Sequence, residues 1–514
     1  MASAPVKPGF FQQLGSFPAN FWFSNLMEIF ERLAFFGVRA VAPLFLVASA
    51  DQNGLGLSYR EKGDIYMWWA LLQCLIPMVS GGYTERYGYR KSLAVAFVLN
   101  IIGYLGMSQS KAVSDYLVAG GWSAAPFWVF LSSACFVATG TAIFKPAVHG
   151  TIARTTTEEN SSMGWGLFYW VVNIGGALAP MAAAELRHEI DWQRVFYAAA
   201  IVTACNFLPA FLLYREPERR ATTPEDQQRG PLCVFLHSIL TIFKDLRLVV
   251  FLLIFSAFWL MFMQLWDLLP NFIDEWVNTA DVAPAFAALR SNWVLESGQV
   301  KPEMMININS ASIILLVIFV SWLVGKVNKV AAMILGMVIS LVGFVGSGLT
   351  QAGTLCAVMI LVFSIGEMTC SPTFSAYVAL IAPKDKKALY MGYSNIPFAI
   401  GWAAGNALGG RLYDTLSSKV ALARRYLGEH LGLDAQTLGG LKDGEVLPRL
   451  TQALAGGSAD DPLKVTNVLW NTYHPEVVWY YLGTIGLAGT LGMVVFYLAT
   501  RKTTAPYNST TQPA

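Results

Sequence analysis

Asn25-Leu26-Met27-Glu28-Ile29-Phe30-Glu31-Arg32-Leu33-Ala34-Phe35-Phe36-Gly37-Val38-Arg39 lies inside an otherwise apolar stretch running from 19 to 47. That stretch is long enough to cross hydrocarbon, which takes roughly 20 helical residues. Yet it carries four ionisable side chains. Each costs about 2.5–3.5 kcal/mol at a bilayer centre, so four left uncompensated cost on the order of 10 kcal/mol. That rivals the whole stability of a typical domain, so the charges must pair or line water. At about 100° per residue, Glu28, Arg32 and Arg39 fall within about 40° of one another. Glu31, next to Arg32, shares a neighbouring face. Glu28 and Arg32 are four apart and can pair directly. Arg39 sits roughly 16 Å beyond Glu28 along the axis, with no partner on its own helix. A buried ion pair that only fixes packing explains Glu28 and Arg32, but leaves Arg39 over.

Composition agrees with a membrane setting. Of 514 residues, 55% are hydrophobic and 13% charged, and the mean hydropathy is +0.48. Soluble chains carry about a quarter charged residues. The net charge of +2 argues against a nucleic-acid partner. The six cysteines show neither metal-ligand nor secreted-framework spacing, and His149, His188, His237, His430 and His474 are scattered. Neither a catalytic set nor a metal or cofactor site is expected. Polar sequence to about Ser16 running straight into the first span reads as no cleavable signal peptide.

Twelve spans are predicted, at 19–47, 62–82, 92–109, 124–146, 163–185, 195–214, 248–272, 304–325, 329–350, 354–382, 388–412 and 476–499. The expected fold is all-α: two six-helix bundles, the layout of the major facilitator fold with its internally repeated halves. The N-terminal bundle is 1–214, a linker covers 215–247, and the C-terminal bundle is 248–514. Within the linker, 232–243 is apolar but too short to cross, so a helix lying at the membrane surface is expected. Basic residues cluster on one side, in Arg86-Arg90-Lys91, Arg215-Arg219-Arg220-Arg229, Lys326-Lys329, Lys384-Lys386-Lys387 and Arg501-Lys502. The other side has only Arg60, Lys62, Lys111, Arg187, Arg194, Arg290 and Lys301 in its short loops. The positive-inside rule then places both termini in the cytoplasm. Two long outer segments follow, 273–303 and 413–475. The second shows helical patterning from Lys419 to Leu433 and a Gly-Gly-Ser-Ala-Asp-Asp break, and reads as a cap or a disordered insert.

Two more charges stand out. Lys145 precedes a helix-breaking proline near the end of the fourth span, where a snorkelling lysine is one explanation. Glu367 lies midway along the tenth span, and its short stem cannot snorkel. Arg39 and Lys145 on one wall with Glu367 on the facing wall suit a zwitterion of fixed length, such as a peptide with free amine and carboxylate.

The motifs resemble those of the proton-dependent oligopeptide transporters, within the major facilitator superfamily. That family's Glu-x-x-Glu-Arg-Phe-x-Tyr-Tyr-Gly is similar to Glu28–Gly37. Its Gly-Thr-Gly-x-x-Lys-Pro-Asn is similar to Gly140–Ala147, its Phe-Tyr-x-x-Ile-Asn-x-Gly to Phe168–Gly175, and its Gly-Glu-x-x-x-Ser-Pro to Gly366–Pro372. The loop Gly81–Lys91 resembles the general facilitator motif, which marks the superfamily and not the substrate. The resemblance implies proton-coupled symport of di- or tripeptides by alternating access, through a monomeric unit in a bilayer, with the proton as the only coupling ion. It implies Arg39 and Lys145 on the substrate carboxylate, Glu367 on the amine, Asn173 and Asn309 on the backbone, and Ser371, Phe35 and Phe36 on the wall. Glu28, Glu31 and Arg32 would couple protons, with Glu31 foremost. The sequence departs from the family at Phe35-Phe36 for a tyrosine pair, at Ala147 for asparagine and at Gln73-Cys74-Leu75 for an expected tyrosine. It also departs at Met263-Gln264, where an acidic residue is expected, and at Ser310, where proline is. Asp267, one turn on, either substitutes for that acid or faces the outer mouth. A less polar site suits hydrophobic peptides or another carboxylate or anion. A divergent transporter of organic anions or drug-like solutes, and a non-transporting peptide sensor, stand as alternatives to a symporter. A bacterial inner membrane is the expected location.

Overall fold

The computed structural model describes residues 10–157, 160–189, 191–216, 245–324, 327–381, 393–455 and 462–500. Twelve membrane helices run α1 Ala19–Val47, α2 Tyr59–Tyr87, α3 Tyr89–Ala119, α4 Ala125–Thr155, α5 Ser161–Glu189, and α6 Trp192–Cys205, extended by a wide turn at Pro209–Leu213. They continue with α7 Leu246–Phe262 plus Gln264–Asp267, α8 Pro302–Val324, α9 Lys329–Gly348, α10 Gly353–Ile381, α11 Asn395–Leu416 and α12 Val477–Thr500. Both described ends of the chain fall on one face of the bundle, the terminal side; the described residues of 413–475 lie on the other, the insert side. The predicted surface helix at 232–243 lies outside the described residues, as do the break at 456–461 and the basic residues Arg219, Arg220, Arg229, Lys326, Lys384, Lys386, Lys387, Arg501 and Lys502.

Among the described residues, eight helices are by themselves long and apolar enough to cross a membrane. Of the other four, α1, α2 and α11 carry the polar load, α8 is apolar from Ile313 on with Glu303, Asn307 and Asn309 in its first turns, and together they form much of the meeting surface between the two halves. There α2 packs on α11, α5 on α8, and α1 against residues 264–276. Polar side chains survive on these faces because they bury against protein and not lipid.

Local chemistry sets several boundaries. Ser58 accepts from the Glu61 N–H while the Glu61 carboxylate accepts from the Ser58 N–H at 3.0 Å, a capping box that starts α2 at Tyr59. Pro146 has no N–H to offer the Ala142 carbonyl; the Ser80 hydroxyl of α2 supplies the missing donor at 3.0 Å. The seventh span is not continuous as the sequence suggested. It bends at Leu268 (φ −120°, ψ −38°), just before Pro270, and the short helix Leu269–Trp276 that follows carries Glu275 past the predicted end of the span at 272.

The insert is ordered throughout its described part. It forms helices Lys419–Glu429, Ala435–Gly440, Asp443–Ala455 and Pro462–Tyr473. Leu422, Leu427, Val446, Leu450, Val465 and Leu469 bury together and join the main core. Trp470 meets Phe272 and Trp276 with ring centroids 6.0 Å apart. Of the two readings of 413–475, the cap is the one found in the described residues.

Candidate functional site

Three polar clusters follow one another along the axis. Nearest the terminal side, Arg32 Nε lies 3.1 Å from Glu28, and its guanidinium also contacts Glu31. All three are buried, and one oxygen of each carboxylate lacks a hydrogen-bond partner. Gly175 of α5 permits this packing, since a Cβ there would press on the Arg32 side chain and lie 3.4 Å from its carbonyl carbon. Phe35 and Phe36 flank the guanidinium, with ring centroids 5.0 and 5.4 Å away. Lys145 of α4 lies within electrostatic reach of Glu28, Glu31 and Arg32. It therefore points into the bundle and not out to the interface, which overturns the snorkelling reading.

The second cluster belongs to the C-terminal half. Asn309 of α8 donates to Glu367 at 2.8 Å and to Ser364 at 3.0 Å, both on α10. Glu367 is half-buried, and no cation pairs with it among the described residues. It lies within electrostatic reach of Tyr169 on α5, whose carbonyl accepts from Asn173 at 2.8 Å. Ser371 sits one turn further along α10, half-buried. Phe36 of α1 faces Trp266 of α7 across the halves, centroids 6.5 Å apart.

The third cluster, nearest the insert side, was only partly foreseen. Arg39 is not a lone guanidinium. It pairs with Asp267 of α7, and both are buried. The other Asp267 oxygen accepts from Trp402 Nε1 at 2.8 Å and Asn406 Nδ2 at 2.9 Å, both on α11. The Asp267 carbonyl accepts from Lys62 Nζ at 2.7 Å, and Lys62 also donates to Asn271 Oδ1 at 2.7 Å. Asn271 in turn donates to the Pro43 carbonyl at 2.9 Å. Tyr66 and Trp402 lie under the Arg39 guanidinium with centroids at 4.6 and 4.8 Å. Asp267 thus does not face an outer mouth: α1, α2, α7 and α11 close on it. Further bonds across the halves lie on the same side, Asp64–Arg411 at 2.9 Å, Glu185–Arg290 at 2.8 Å and Asn307 to the Ala177 carbonyl at 3.0 Å. The structure is closed toward the insert side.

Lys62, Asn271, Trp402 and Asn406 were not anticipated. Lys62 is not a loop charge: the Ser58-x-x-Glu61 capping box starts α2 at Tyr59 and puts Lys62 one turn inside the helix.

A bundle of two six-helix halves, meeting over buried charges with one side sealed, defines a secondary transporter and not an enzyme. The model of the major facilitator superfamily matches residues 26–406, and the chain belongs to that superfamily. A solved peptide transporter of the POT type, in complex with sulfate, superposes with a TM-score of 0.64 at 16% identity, over 98% of this chain and 97% of that one. The peptide transporter YePEPT of Yersinia enterocolitica subsp. palearctica is 24% identical over 194 residues, covering 37% of this chain and 35% of its own. The multidrug resistance protein MdtH of Sodalis glossinidius is 22% identical over 385 residues, covering 74% of this chain and 84% of its own. The match thus spans about a third of the length of the peptide transporter and most of the multidrug protein.

Proposed function

We propose that the protein is a proton-coupled symporter that takes up di- and tripeptides by alternating access, as a monomer. The insert side faces outward, and both termini lie in the cytoplasm of a bacterial inner membrane. One observation carries the reading: Lys145 and Glu367 come from opposite halves, are half-buried, and form no ion pair among the described residues. An unpaired charge inside a membrane protein is expensive and calls for a partner that arrives from solution. A peptide carboxylate on Lys145 and its ammonium on Glu367 supply both counter-charges at once. Asn309 and Asn173 flank the anionic end. Arg39, engaged by Asp267 in the closed form, becomes free for the carboxylate only when the insert side opens.

Proton coupling is assigned to Glu31 and Glu28, which share one arginine and each keep a bare oxygen, and to Asp267, which opening deprives of Arg39. One charge moving through 100 mV exchanges about 2.3 kcal/mol, enough to sustain a gradient of the order of tenfold to a hundredfold.

The second reading, uptake or export of another organic anion or drug-like solute, is favoured by Phe35-Phe36, which makes the wall less polar, and by the broader coverage of the multidrug relative. Purified protein in liposomes separates them. Acid outside should drive uptake of labelled dialanine with a dialanine-dependent rise in external pH. Flux only of unrelated solutes would replace the peptide assignment with the second reading, and binding without flux would favour a sensor.

A further inference from the structure

Beyond Asp267 the chain breaks at Leu268, and the helix Leu269–Trp276 carries two anchoring residues, Asn271 and Glu275. The Glu275 carboxylate accepts from the Tyr59 hydroxyl of α2 at 2.8 Å, the Tyr413 hydroxyl of α11 at 2.9 Å and the Lys419 N–H at 3.3 Å. Lys419 begins the first helix of the insert. Its Nζ donates to the Glu275 carbonyl at 2.6 Å and to Thr466, in the last insert helix, at 2.7 Å. The rings of Tyr59 and Tyr413 lie 4.3 Å apart, and Trp276 Nε1 donates to the Ser417 carbonyl at 2.8 Å. A single side chain thus gathers both halves and the insert. A cavity of about 1350 Å³ opens beside it, lined by Asp51, Glu61, Asp274, Glu275, Asp414 and Lys419 among others. Solvent protons therefore have a path to the carboxylate.

We propose that Glu275 is a second latch on the insert side, by which the 413–475 insert holds the two halves shut and which external protons tighten. The proposal rests on the alternating-access class of the protein and not on the peptide substrate. The groups facing Glu275 are Tyr59 and Lys62 from α2, Tyr413 from α11, Lys419 from the insert and Asp274 on its own helix. Burial pushes its carboxyl up to about 7, against the hydrogen bonds from Tyr59 and Tyr413 and the charge of Lys419. When the halves part, the carboxyl returns to water and to its ordinary value near 4.5. The closed form therefore holds the proton more tightly, and acid favours closure. As pH rises from 4.5 through 7 that advantage is lost, by at most roughly three-hundredfold in the closed-to-open ratio, since each pKa unit is a factor of ten. In a proton symporter this makes proton arrival from outside the event that shuts the outer side.

Spin labels at Tyr116 and Leu289, exposed residues of opposite halves on the insert side, report the opening by pulsed electron–electron distance measurement in nanodiscs. The unmodified protein should shift toward the short distance between pH 8 and pH 5. Glu275→Gln, fixed in the neutral form, should stay at the short distance at both pH values. Tyr413→Phe keeps the ring contact and loses one donor to the charged form, so it should lower the closed population at pH 8 by about tenfold. Loss of the pH shift in Glu275→Gln with more open Tyr413→Phe at pH 8 supports the latch. A pH-independent distance in the unmodified protein, or an unchanged pH shift in Glu275→Gln, overturns it. If Glu275→Gln is not recovered folded, an unchanged distribution in Tyr413→Phe overturns it alone. A lack of dialanine transport leaves these readouts untouched.

Discussion

Replacing Asp267 by asparagine should open the insert side. Asp267 neutralises Arg39 and accepts from Trp402 and Asn406, while its carbonyl, kept in the variant, holds Lys62. Asparagine preserves volume but leaves the Arg39 guanidinium buried over Tyr66 and Trp402 without a counter-charge. Breaking one partner of a buried pair costs about 3–5 kcal/mol. The aromatic faces still hold the cation, so the lower end applies. About 3 kcal/mol, at 1.4 kcal/mol per tenfold, lowers the closed-to-open ratio by on the order of a hundredfold. Opening hydrates the guanidinium and relieves the cost, so the penalty falls on the closed form. Distances between labels at Tyr116 and Leu289 should lengthen, and uphill uptake should fail. Adding Arg39→Gln to Asp267→Asn removes the stranded charge and should restore much of the closed population, because the two residues share one interaction. A folded Asp267→Asn protein with an unchanged distance distribution, or a double variant as open as the single one, would refute this account of the gate.

Glu31→Gln should abolish uphill uptake while sparing exchange at equal concentrations, measured as counterflow in liposomes; retained uphill uptake would move the proton site elsewhere. Glu367→Gln should weaken dipeptide binding by about ten- to a hundredfold, as expected for losing a charged hydrogen bond of about 1.5–3 kcal/mol, read by the ligand-induced rise in melting temperature. Gly63→Val should destabilise the closed form, because even a Cβ at Gly63 lies 3.1 Å from Gly410 Cα and against the Asn406 carbonyl; increased labelling from the insert side checks it. Leu469→Ala, in the buried core of the insert, should cost about 2–5 kcal/mol and expose the insert to limited proteolysis.

Span number and order were legible because hydrophobic length is a strong local signal. The first span at 19–47 has the same bounds as α1. Charges with a partner on the same helix were also legible: Glu28 and Arg32 are fixed by a four-residue spacing. What could not be read was pairing across the halves. Arg39 and Asp267 are 228 positions apart, and no periodicity connects them. Lys62 was misassigned for a different reason, since counting apolar residues starts the span too late when its first turn is polar. Glu275 lies in the long outer segment 273–303, and nothing in the spacing of Tyr59 and Tyr413, on two different helices, connects either of them to it. The helix break at Leu268 depends on packing that a span-length count does not see.

The contact of Gly63 with Asn406 and Gly410 brings two main chains together with scarcely a side chain between them. Surfaces that mesh through bulky knobs must search rotamers each time they rejoin, and can settle out of register. A bare backbone seam has nothing to reshuffle. It can part and reseat along the same track on every cycle, which suits a joint whose working life is counted in separations.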